Sequence, residues 1–202
     1  MNLRLTLLAA ALLVTTGGCA DDEPAADTSV AASSRTTLLW KRDHALEGDL
    51  ARALELPPEE LCLELGERSC IDEVHRSSLG GHDPFEQGLY VPLAAPLVTS
   101  PLALDRVVQA ACAERIARDT LEAPVVFTAL NLTGAAPAAD DEAYAETVRT
   151  LYRRLLTRNP EPAELRALEA LLEDEEGDRV DASTFALSAC FAIGTTTEFV
   201  FL

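Results

Sequence analysis

The sequence predicts a mostly α-helical fold: an irregular helical domain with long proline- and glycine-rich loops, a C-terminal helical hairpin and a buried last helix. Three observations support this prediction. Apolar residues recur three and four positions apart in several segments, which is the spacing of one helix face. Most of the 11 prolines and 10 glycines lie between those segments, where they end helices. Residues 182–193 are apolar almost all round, which is typical of a helix at the centre of a domain.

The first predicted helix covers residues 49–56, where Leu50, Ala53 and Leu54 share a face, and it ends at two consecutive prolines. A second short helix is expected to start at those prolines and to end before Gly66. Its apolar positions are Leu61, Cys62 and Leu65. Residues 77–100 follow with glycines and prolines throughout, so they are predicted to be loop or short irregular turns.

A long central helix is predicted next. Ser100 can cap its N-terminus with Pro101 in the first turn, and the pattern runs to about Asp119. Its inward stripe comprises Leu104, Val107, Val108, Ala111, Cys112, Arg115 and Ile116. A stripe of this width predicts that one face of the helix packs on the core.

The C-terminal third predicts an antiparallel helical hairpin. Asp140 or Asp141 can cap a helix whose inward face comprises Tyr144, Val148, Leu151, Tyr152, Leu155 and Leu156. Asn159 then caps a second helix, with Pro160 at its first position and a short connection that makes the two helices neighbours. The leucines expected to face inward on that helix are Leu165, Leu168, Leu171 and Leu172. The helix at 182–193 forms the buried centre, and the aromatic residues after it are expected to pack back onto the core.

The N-terminus has the residue order of an export signal. Arg4 precedes an uncharged run from Leu5 to Thr16, and two glycines precede Cys19. This run is too short to span a bilayer, which takes roughly 20 residues. The stretch resembles a bacterial lipoprotein signal with its lipobox, although Thr16 stands where that family usually has leucine. The resemblance implies that residues 1–18 are a signal peptide and that Cys19 becomes the palmitate-bearing N-terminus. A plain secretory signal cleaved nearby is the alternative.

The rest of the chain divides into a tether and a domain. Residues 19–37, which begin with the lipidated cysteine, are predicted to be a disordered tether, because Val30 is their one bulky apolar residue. Residues 38–202, about 165 residues, are long enough for a single helical domain. We expect the lipid to hold this domain at a membrane of the cell envelope, on the periplasmic face of the outer membrane or at the cell surface. Ala20 after the cysteine suits the outer membrane by resemblance to enterobacterial sorting.

The formal charge of the chain is −18, with 34 acidic against 16 basic residues. Such a balance disfavours nucleic-acid binding, because the phosphate backbone would be repelled. Cationic partners or divalent cations stay electrostatically plausible, although a soluble surface alone explains the acidity.

Four cysteines follow the lipidation site, and an even number in an exported chain predicts two disulfides. Three pairings are possible. We favour Cys62 with Cys70, which closes a short loop, and Cys112 with Cys190, which lie on two strongly apolar helical patterns. Metal binding is the competing use of these thiols, but the chain has no C-x-x-C pair.

Few residues suggest catalysis. A thiol, two imidazoles and carboxylates fall close together between Cys70 and Asp83, so His75, His82 and Asp83 are weak metal candidates. Their spacing is not that of a known ligand set, and solvated loop side chains are the simpler reading. The chain has no phosphate loop, nucleotide fingerprint or G-x-S-x-G. We therefore expect no metal, no cofactor and no catalytic residue.

The C-terminal 60 residues carry a second resemblance. The stretch from Leu151 to Pro160, then Glu164-Leu165 and finally Glu198-Phe199, is similar to the pattern LYRRLLGREPTPAEL … SPEFL. That pattern is found in helical domains of unknown function from planctomycete and myxobacterial envelope proteins, some of which accompany c-type haem domains. This chain departs from it in having no haem motif and in having Thr196-Thr197 where Ser-Pro would stand.

Together these observations predict a membrane-anchored lipoprotein. Its helical domain is expected to be a non-catalytic binding or accessory module, with an envelope protein as a possible partner and no nucleic acid. The alternative is a metal-dependent or thiol-redox enzyme built on the region from Cys62 to His82. A buried disulfide between Cys62 and Cys70 would argue against that alternative, because a redox enzyme needs an accessible thiolate.

Overall fold

Helices form most of the regular structure, and the predicted mostly α fold is confirmed. The computed structural model describes residues 39–85, 88–121 and 123–201. The predicted signal peptide, Cys19 and the predicted tether lie outside the described residues. No helix in the described ranges is both long and apolar enough to cross a membrane. The helices are α1 (Asp43–Leu54), α2 (Ser100–Leu121), α3 (Glu142–Leu155), α4 (Pro162–Leu168), α5 (Ala182–Gly194) and α6 (Thr197–Val200).

Helix α5 lies at the centre of the core, as predicted. Phe185, Ala186, Ala189 and Cys190 are fully buried, and the helix packs against α2 and α3. The approach to α2 is close enough that a Cβ on Gly194 would lie 2.7 Å from a methyl of Val108. The two helices are also linked covalently, because Cys190 is bonded to Cys112 across a Cα–Cα distance of 6.0 Å.

The predicted central helix is α2, but its N-terminus differs in detail. Ser100 is the first helical residue and not the cap; its hydroxyl accepts from the amide of Leu97 and donates to the carbonyl of Ser78. Arg115, which falls on the inward stripe, is buried with its guanidinium 2.7 Å from the carboxylate of Asp119. That carboxylate also accepts the amides of Val125, Val126 and Phe127. One acidic side chain therefore holds the loop that follows α2.

Helices α3 and α4 lie where the sequence predicts the two helices of the hairpin, and the hydroxyl of Tyr144 in α3 donates to the carbonyl of Leu165 in α4. Leu168 in α4 and Leu172 in the 3₁₀ turn that follows it (Glu169–Leu172) are buried, while Leu165 and Leu171 pack partly buried on the core. The prediction that Asn159 caps the second helix is wrong. Glu161 is the N-cap, and it forms a capping box with Glu164. A residue before proline is held in extended backbone, and Glu161 precedes Pro162 with φ −78° and ψ 158°. The helix therefore begins two residues later than predicted.

An ion-pair network closes the hairpin. Arg158 donates to both carboxylate oxygens of Glu164, at 2.8 and 2.7 Å, and to both of Glu198, at 2.7 and 2.6 Å. Its guanidinium also lies 5.1 Å from the ring centroid of Tyr152. Because Glu198 lies in α6, this arginine connects the hairpin to the C-terminus. Phe199 beside it is buried, as expected of the C-terminal aromatic residues.

The N-terminal part differs most from the prediction. Helix α1 begins at Asp43 instead of residue 49, and the helix expected to carry Leu61 and Cys62 does not form. That region contains a 3₁₀ turn (Pro58–Glu60), a hairpin of β1 (Leu63–Glu64) and β2 (Arg68–Ser69), and a π-helical turn (Cys70–Val74). Leu65 and Gly66 both have positive φ, 56° and 76°. Two consecutive left-handed residues turn the chain back and are incompatible with a right-handed helix.

Candidate functional site

An apolar cleft lies where both ends of the described chain meet. Trp40 pairs with Phe201 in an isolated antiparallel bridge, and the amide of Lys41 donates to the carbonyl of Val200 at 2.7 Å. The loop before α2 and the first turn of that helix form the opposite wall. The cleft is lined by Trp40, Lys41, Leu79, Pro96, Ser100, Pro101, Leu104, Thr195, Thr197, Val200 and Phe201. Four segments that are far apart in sequence thus build one surface.

The cleft is small and mostly apolar, with a volume of about 200 Å³. Pockets that enclose drug-sized ligands are larger, roughly 300–1,000 Å³. The cleft therefore suits an apolar side chain or the end of a hydrocarbon chain better than a whole cofactor.

Large apolar side chains that are adjacent in sequence to the cleft lining are exposed. Val98 is 96 % exposed, Leu102 is 71 % and Leu39 is 56 %, and Leu97 is also exposed. The run from Gly88 to Leu104, which contains three of these four residues, has no charged residue. Contiguous exposed apolar surface marks sites that contact another molecule. We name the lining residues together with Leu39, Leu97, Val98 and Leu102 the apolar face.

The single cation in the cleft lining is neutralised. The ammonium of Lys41 lies 2.7 Å from the carboxylate of Asp49 and 4.1 Å from the centroid of the Phe199 ring. Partial burial opposes a lower pKa for Asp49, but hydrogen bonds from Lys41 and Arg52 hold that pKa below its usual value. Among the described residues, the buried indole nitrogen of Trp40 has no hydrogen-bond partner.

The hydroxyl groups of Ser100 and Thr195 in the cleft already have partners. Ser100 uses its hydroxyl in both directions, as described above, and the hydroxyl of Thr195 donates to the carbonyl of Phe191 at 2.9 Å. A serine or threonine nucleophile needs a neighbouring base to take its proton, and the cleft lining contains no histidine or carboxylate.

The cysteines have the pairing that the sequence favours. Cys62 and Cys70 are bonded across a Cα–Cα distance of 5.4 Å, and both are buried. Together with Cys112–Cys190, this pair uses every cysteine of the described residues. None of them offers the free thiolate that the thiol-redox alternative requires.

The weak metal candidates are not brought together. His75 lies 3.6 Å from the carboxylate of Glu64, whereas His82 is exposed. Asp83 is buried and accepts the amide of Phe85. The structure instead groups His44, Glu47 and Asp72, whose ligand atoms lie within 4.8 Å of one another.

This second group is a surface cluster. His44 is exposed and lies 3.7 Å from Glu47. Burial first, and then the nearby charge of Asp72, raises the pKa of Glu47 above its usual value. Such exposed clusters are common without a metal ion.

The sequence did not point to the apolar face, because its residues come from positions 39–41, 79, 96–104 and 195–201. The signal that could have indicated it is the uncharged, apolar run from Gly88 to Leu104, whose prolines prevent a long helix. Such a run is too irregular to be buried as one element. Comparison with known proteins found no matching family model, curated protein or solved structure.

Proposed function

We propose that this chain is a lipid-anchored protein of the bacterial cell envelope whose helical domain is a non-catalytic binding or accessory module. The observation that carries the proposal is the apolar face, a shallow cleft together with exposed apolar side chains next to its lining in sequence, on a chain of formal charge −18. Exposing such side chains is costly in water, and contact with another molecule offsets that cost.

The anchor part of the proposal rests on the N-terminal sequence. A charged residue, an apolar run and two glycines precede Cys19, which is the order of a lipoprotein signal. Two disulfides in a chain of this size suit an oxidising compartment. Both observations support an envelope location, on the periplasmic face of the outer membrane or at the cell surface.

The test of the anchor is the intact mass of the protein purified from its native membrane, before and after reduction and thiol alkylation. We expect a chain that begins at Cys19 with the added mass of two or three acyl groups. The four other cysteines should react only after reduction. A chain cut elsewhere, or one without lipid, would contradict the anchor.

The same measurement tests the enzyme alternative. If Cys62 and Cys70 alkylate without reduction, or if a metal's mass accompanies the native protein, a metal-dependent or thiol-redox enzyme becomes the better proposal. We expect neither result, because the pair is buried and bonded.

The binding part is tested by a photo-cross-linking amino acid placed at position 98 in the native membrane. Position 121, at the other end of α2 and 85 % exposed, is the matched control. We expect adducts at position 98 well above those at 121, since only the former belongs to the apolar face. Equal yields at both positions would argue against a binding module.

A further inference from the structure

We infer that residues 90–96 are a cleavage site for a serine endoprotease of apolar specificity, and that one cut there divides the domain into two pieces without a covalent link. We name these residues the substrate segment. The inference goes beyond the proposed function, and it does not depend on lipidation of Cys19.

The backbone of the substrate segment is free. Within the described part of the chain, no hydrogen bond involves an amide or a carbonyl of residues 90–96. The neighbouring backbone bonds lie outside it: the amide of Leu89 donates to the carbonyl of Asp83, and the amide of Ser100 donates to that of Leu97. An extended segment binds to another protein's strand through its own main-chain N–H and C=O groups. Most native segments must open locally before they can be cut, whereas this one offers those groups in the folded state.

The side chains of the substrate segment are accessible as well. Tyr90 is 77 % exposed and Val91 is 73 %, and the other residues of the segment are exposed except Leu93, which is half-buried. None of them belongs to the described core. Nicking of native proteins concentrates in exposed loops with small side chains. A protease can therefore reach this main chain without displacing a core residue.

A second exposed loop shows what distinguishes the substrate segment. Residues 173–179 are all exposed. The amide of Asp174 donates to the carbonyl of Asp178, the amide of Gly177 donates to the carbonyl of Asp174, and an antiparallel bridge joins the ends of the loop. These bonds must open before a protease can bind the loop, so it is the internal control for exposure without a free backbone.

The residue types select the kind of protease. Residues 77–105 contain no lysine or arginine, which excludes cleavage after a cation. Proline has no amide hydrogen and its ring crowds the preceding residue, so the bonds before Pro92 and Pro96 are protected. The two bonds that flank Ala94 lie between those prolines. They present Leu93 or Ala94 to the specificity pocket, and serine proteases with an apolar or a small pocket accept such side chains.

The reaction is hydrolysis of one amide. The serine of the protease attacks the carbonyl carbon of Leu93 or Ala94, the C–N bond breaks, and the leaving nitrogen takes a proton from the histidine of the protease. Water then releases the bound acyl group. One water is consumed, and the products are a new C-terminal carboxylate and a new N-terminal amine.

Neither disulfide spans the substrate segment, because Cys62–Cys70 lies before it and Cys112–Cys190 lies after it. The first piece keeps α1, and the second keeps α2 to α6. Only packing and polar contacts hold the two pieces together: α1 contacts α2 and α3, and three of its leucines are fully buried, Leu46, Leu50 and Leu54. The cut protein should therefore stay assembled in native buffer and separate in denaturant without a reductant.

The experiment treats the full-length protein with subtilisin and, separately, with a glutamate-specific endoprotease that can cut within residues 173–176. Mass spectrometry locates each cut, and each rate is divided by the rate for the same sequence in a free peptide. We expect the first subtilisin cut within residues 90–96, at about a tenth of the peptide rate or more, and cleavage of the control loop at about a hundredth or less. A first cut elsewhere, or equal protection of both loops, would overturn the inference.

The cut protein is then compared on a denaturing gel without reductant and by size exclusion in native buffer. We expect two bands on the gel and one peak at the elution volume of the uncut protein. A single band, or dissociation in native buffer, would contradict the division into two packed but unlinked pieces.

A matched pair of variants tests the position of the cut. Ala94→Pro protects both flanking bonds and removes an amide that has no hydrogen-bond partner in the described ranges. Ala94→Ser is the control, and circular dichroism checks the folding of both. We expect cleavage within the substrate segment to slow about tenfold in Ala94→Pro and to change less than about twofold in Ala94→Ser. Equal rates would contradict recognition of the main chain at this position.

The last arm identifies the class of protease. The purified protein is incubated with an extract of its own cell envelope, with and without a serine-protease inhibitor. We expect a new N-terminus at Ala94 or Ala95 that the inhibitor abolishes. The absence of this cut, or a cut that the inhibitor leaves unchanged, would overturn the assignment to a serine endoprotease.

Discussion

Thr157 adopts a left-handed backbone conformation just after α3, with φ of 57°. That conformation is strained for a β-branched residue and free of strain for glycine. Because Thr157 is exposed, its side chain contributes no core packing that would compensate for the strain.

We therefore predict that Thr157→Gly stabilises the protein by about 1 kcal/mol, since relief of the strain exceeds the entropy that glycine adds to the unfolded chain. Urea unfolding at neutral pH measures the change. Thr157→Ala is the control: it removes the branch but keeps the positive φ, and it should give less than half the gain. An equal gain in both variants would contradict backbone strain as the cause.

Asp119 has the largest structural role of any single carboxylate in the described chain, because it meets Arg115 and three amides of the following loop. Asparagine has one acceptor oxygen where aspartate has two, so it cannot satisfy all four donors, and it leaves a buried guanidinium without its counter-charge. We predict that Asp119→Asn lowers the free energy of unfolding by about 3 kcal/mol.

Urea unfolding again provides the measurement. Asp105→Asn, on the same helix at a position without an ion pair among the described residues, is the control and should change stability by less than about 0.5 kcal/mol. Similar losses at both positions would show that negative charge on α2, and not the network around Asp119, is what matters.

The first residue of helix α6 is a position at which proline should stabilise the folded protein. Thr196 is its N-cap, with φ −63° and ψ 150°, and its hydroxyl accepts the amide of Phe199. Those angles are the ones that a residue before proline adopts, and the next position, Thr197, is the first of the helix, where an amide has no helical partner.

We predict that Thr197→Pro raises the free energy of unfolding by about 0.5–1 kcal/mol, because proline restricts the unfolded chain at no cost to the helix. Thr195→Pro is the contrasting change, since the amide of Thr195 donates to the carbonyl of Phe191 at 3.0 Å. That variant should be destabilised by more than about 1 kcal/mol in the same unfolding experiment. Loss of stability at both positions would mean that α6 tolerates no proline.

The elements that could be predicted from the sequence are those with a strong apolar pattern over many residues. Helices α2 and α3 form where the spacing of three and four predicts them, and α5 forms where the sequence is apolar almost all round. The segment after Pro57 has the same spacing over too few residues, and Leu65 and Gly66 turn back into a hairpin instead. Helix α1 extends to Asp43 because Leu46 is buried, which a window starting at residue 49 does not include.

The apolar face could not be predicted in the same way. Its residues meet only after α2, α5 and α6 have packed, so no local spacing marks them. The residues that looked chemically active, His75, His82 and Asp83, lie within nine positions of one another in sequence, but among the described residues they do not form a group of converging ligand atoms. Sequence proximity in a loop says little about convergence, because the direction of each side chain depends on turns that the long-range contacts decide.

At the scale of the whole molecule, the two disulfides close loops of very different length. The paired cysteines are 8 residues apart in Cys62–Cys70 and 78 residues apart in Cys112–Cys190. A disulfide that closes a longer loop removes more conformational entropy from the unfolded chain. The resulting stabilisation of the folded state is about 2.5 kcal/mol for the short loop and about 4.5 kcal/mol for the long one at 25 °C. We predict that the double variant Cys112→Ala/Cys190→Ala loses about 2 kcal/mol more stability than Cys62→Ala/Cys70→Ala. Thermal and urea unfolding of both variants check this order, and the reverse order would show that packing and not loop length dominates.

Acid sensitivity is a second property of the whole molecule. Hydrogen bonds from Arg158 lower the pKa of Glu164 to about 2, and those from Ser183 and Thr184 lower the pKa of Asp181 to about 2. A carboxyl whose pKa is lower in the folded state stabilises that state above its unfolded pKa and loses this effect as pH falls through the folded value. We predict that stability declines between about pH 4.5 and pH 2.

Urea midpoints measured from pH 7 to pH 2 test this window. Arg158→Ala should flatten the decline, because Glu164 and Glu198 lose the partner that lowers their pKa. Arg166→Ala, at an exposed position of α4 without an ion pair among the described residues, should leave the pH profile unchanged. A profile that Arg158→Ala does not alter would contradict the ion-pair network as its cause.

Lys41 is the only lysine in the chain, and its ammonium is enclosed between the carboxylate of Asp49 and the ring of Phe199. Reagents that acylate amines, including the common fixatives and succinimidyl cross-linkers, therefore meet their one side-chain target in a protected form. Surveys that depend on such reagents would underestimate this protein. Conversely, any modification of Lys41 shows that its ammonium has separated from Asp49 and Phe199, so the rate of modification of this one amine measures local opening where the two ends of the described chain meet.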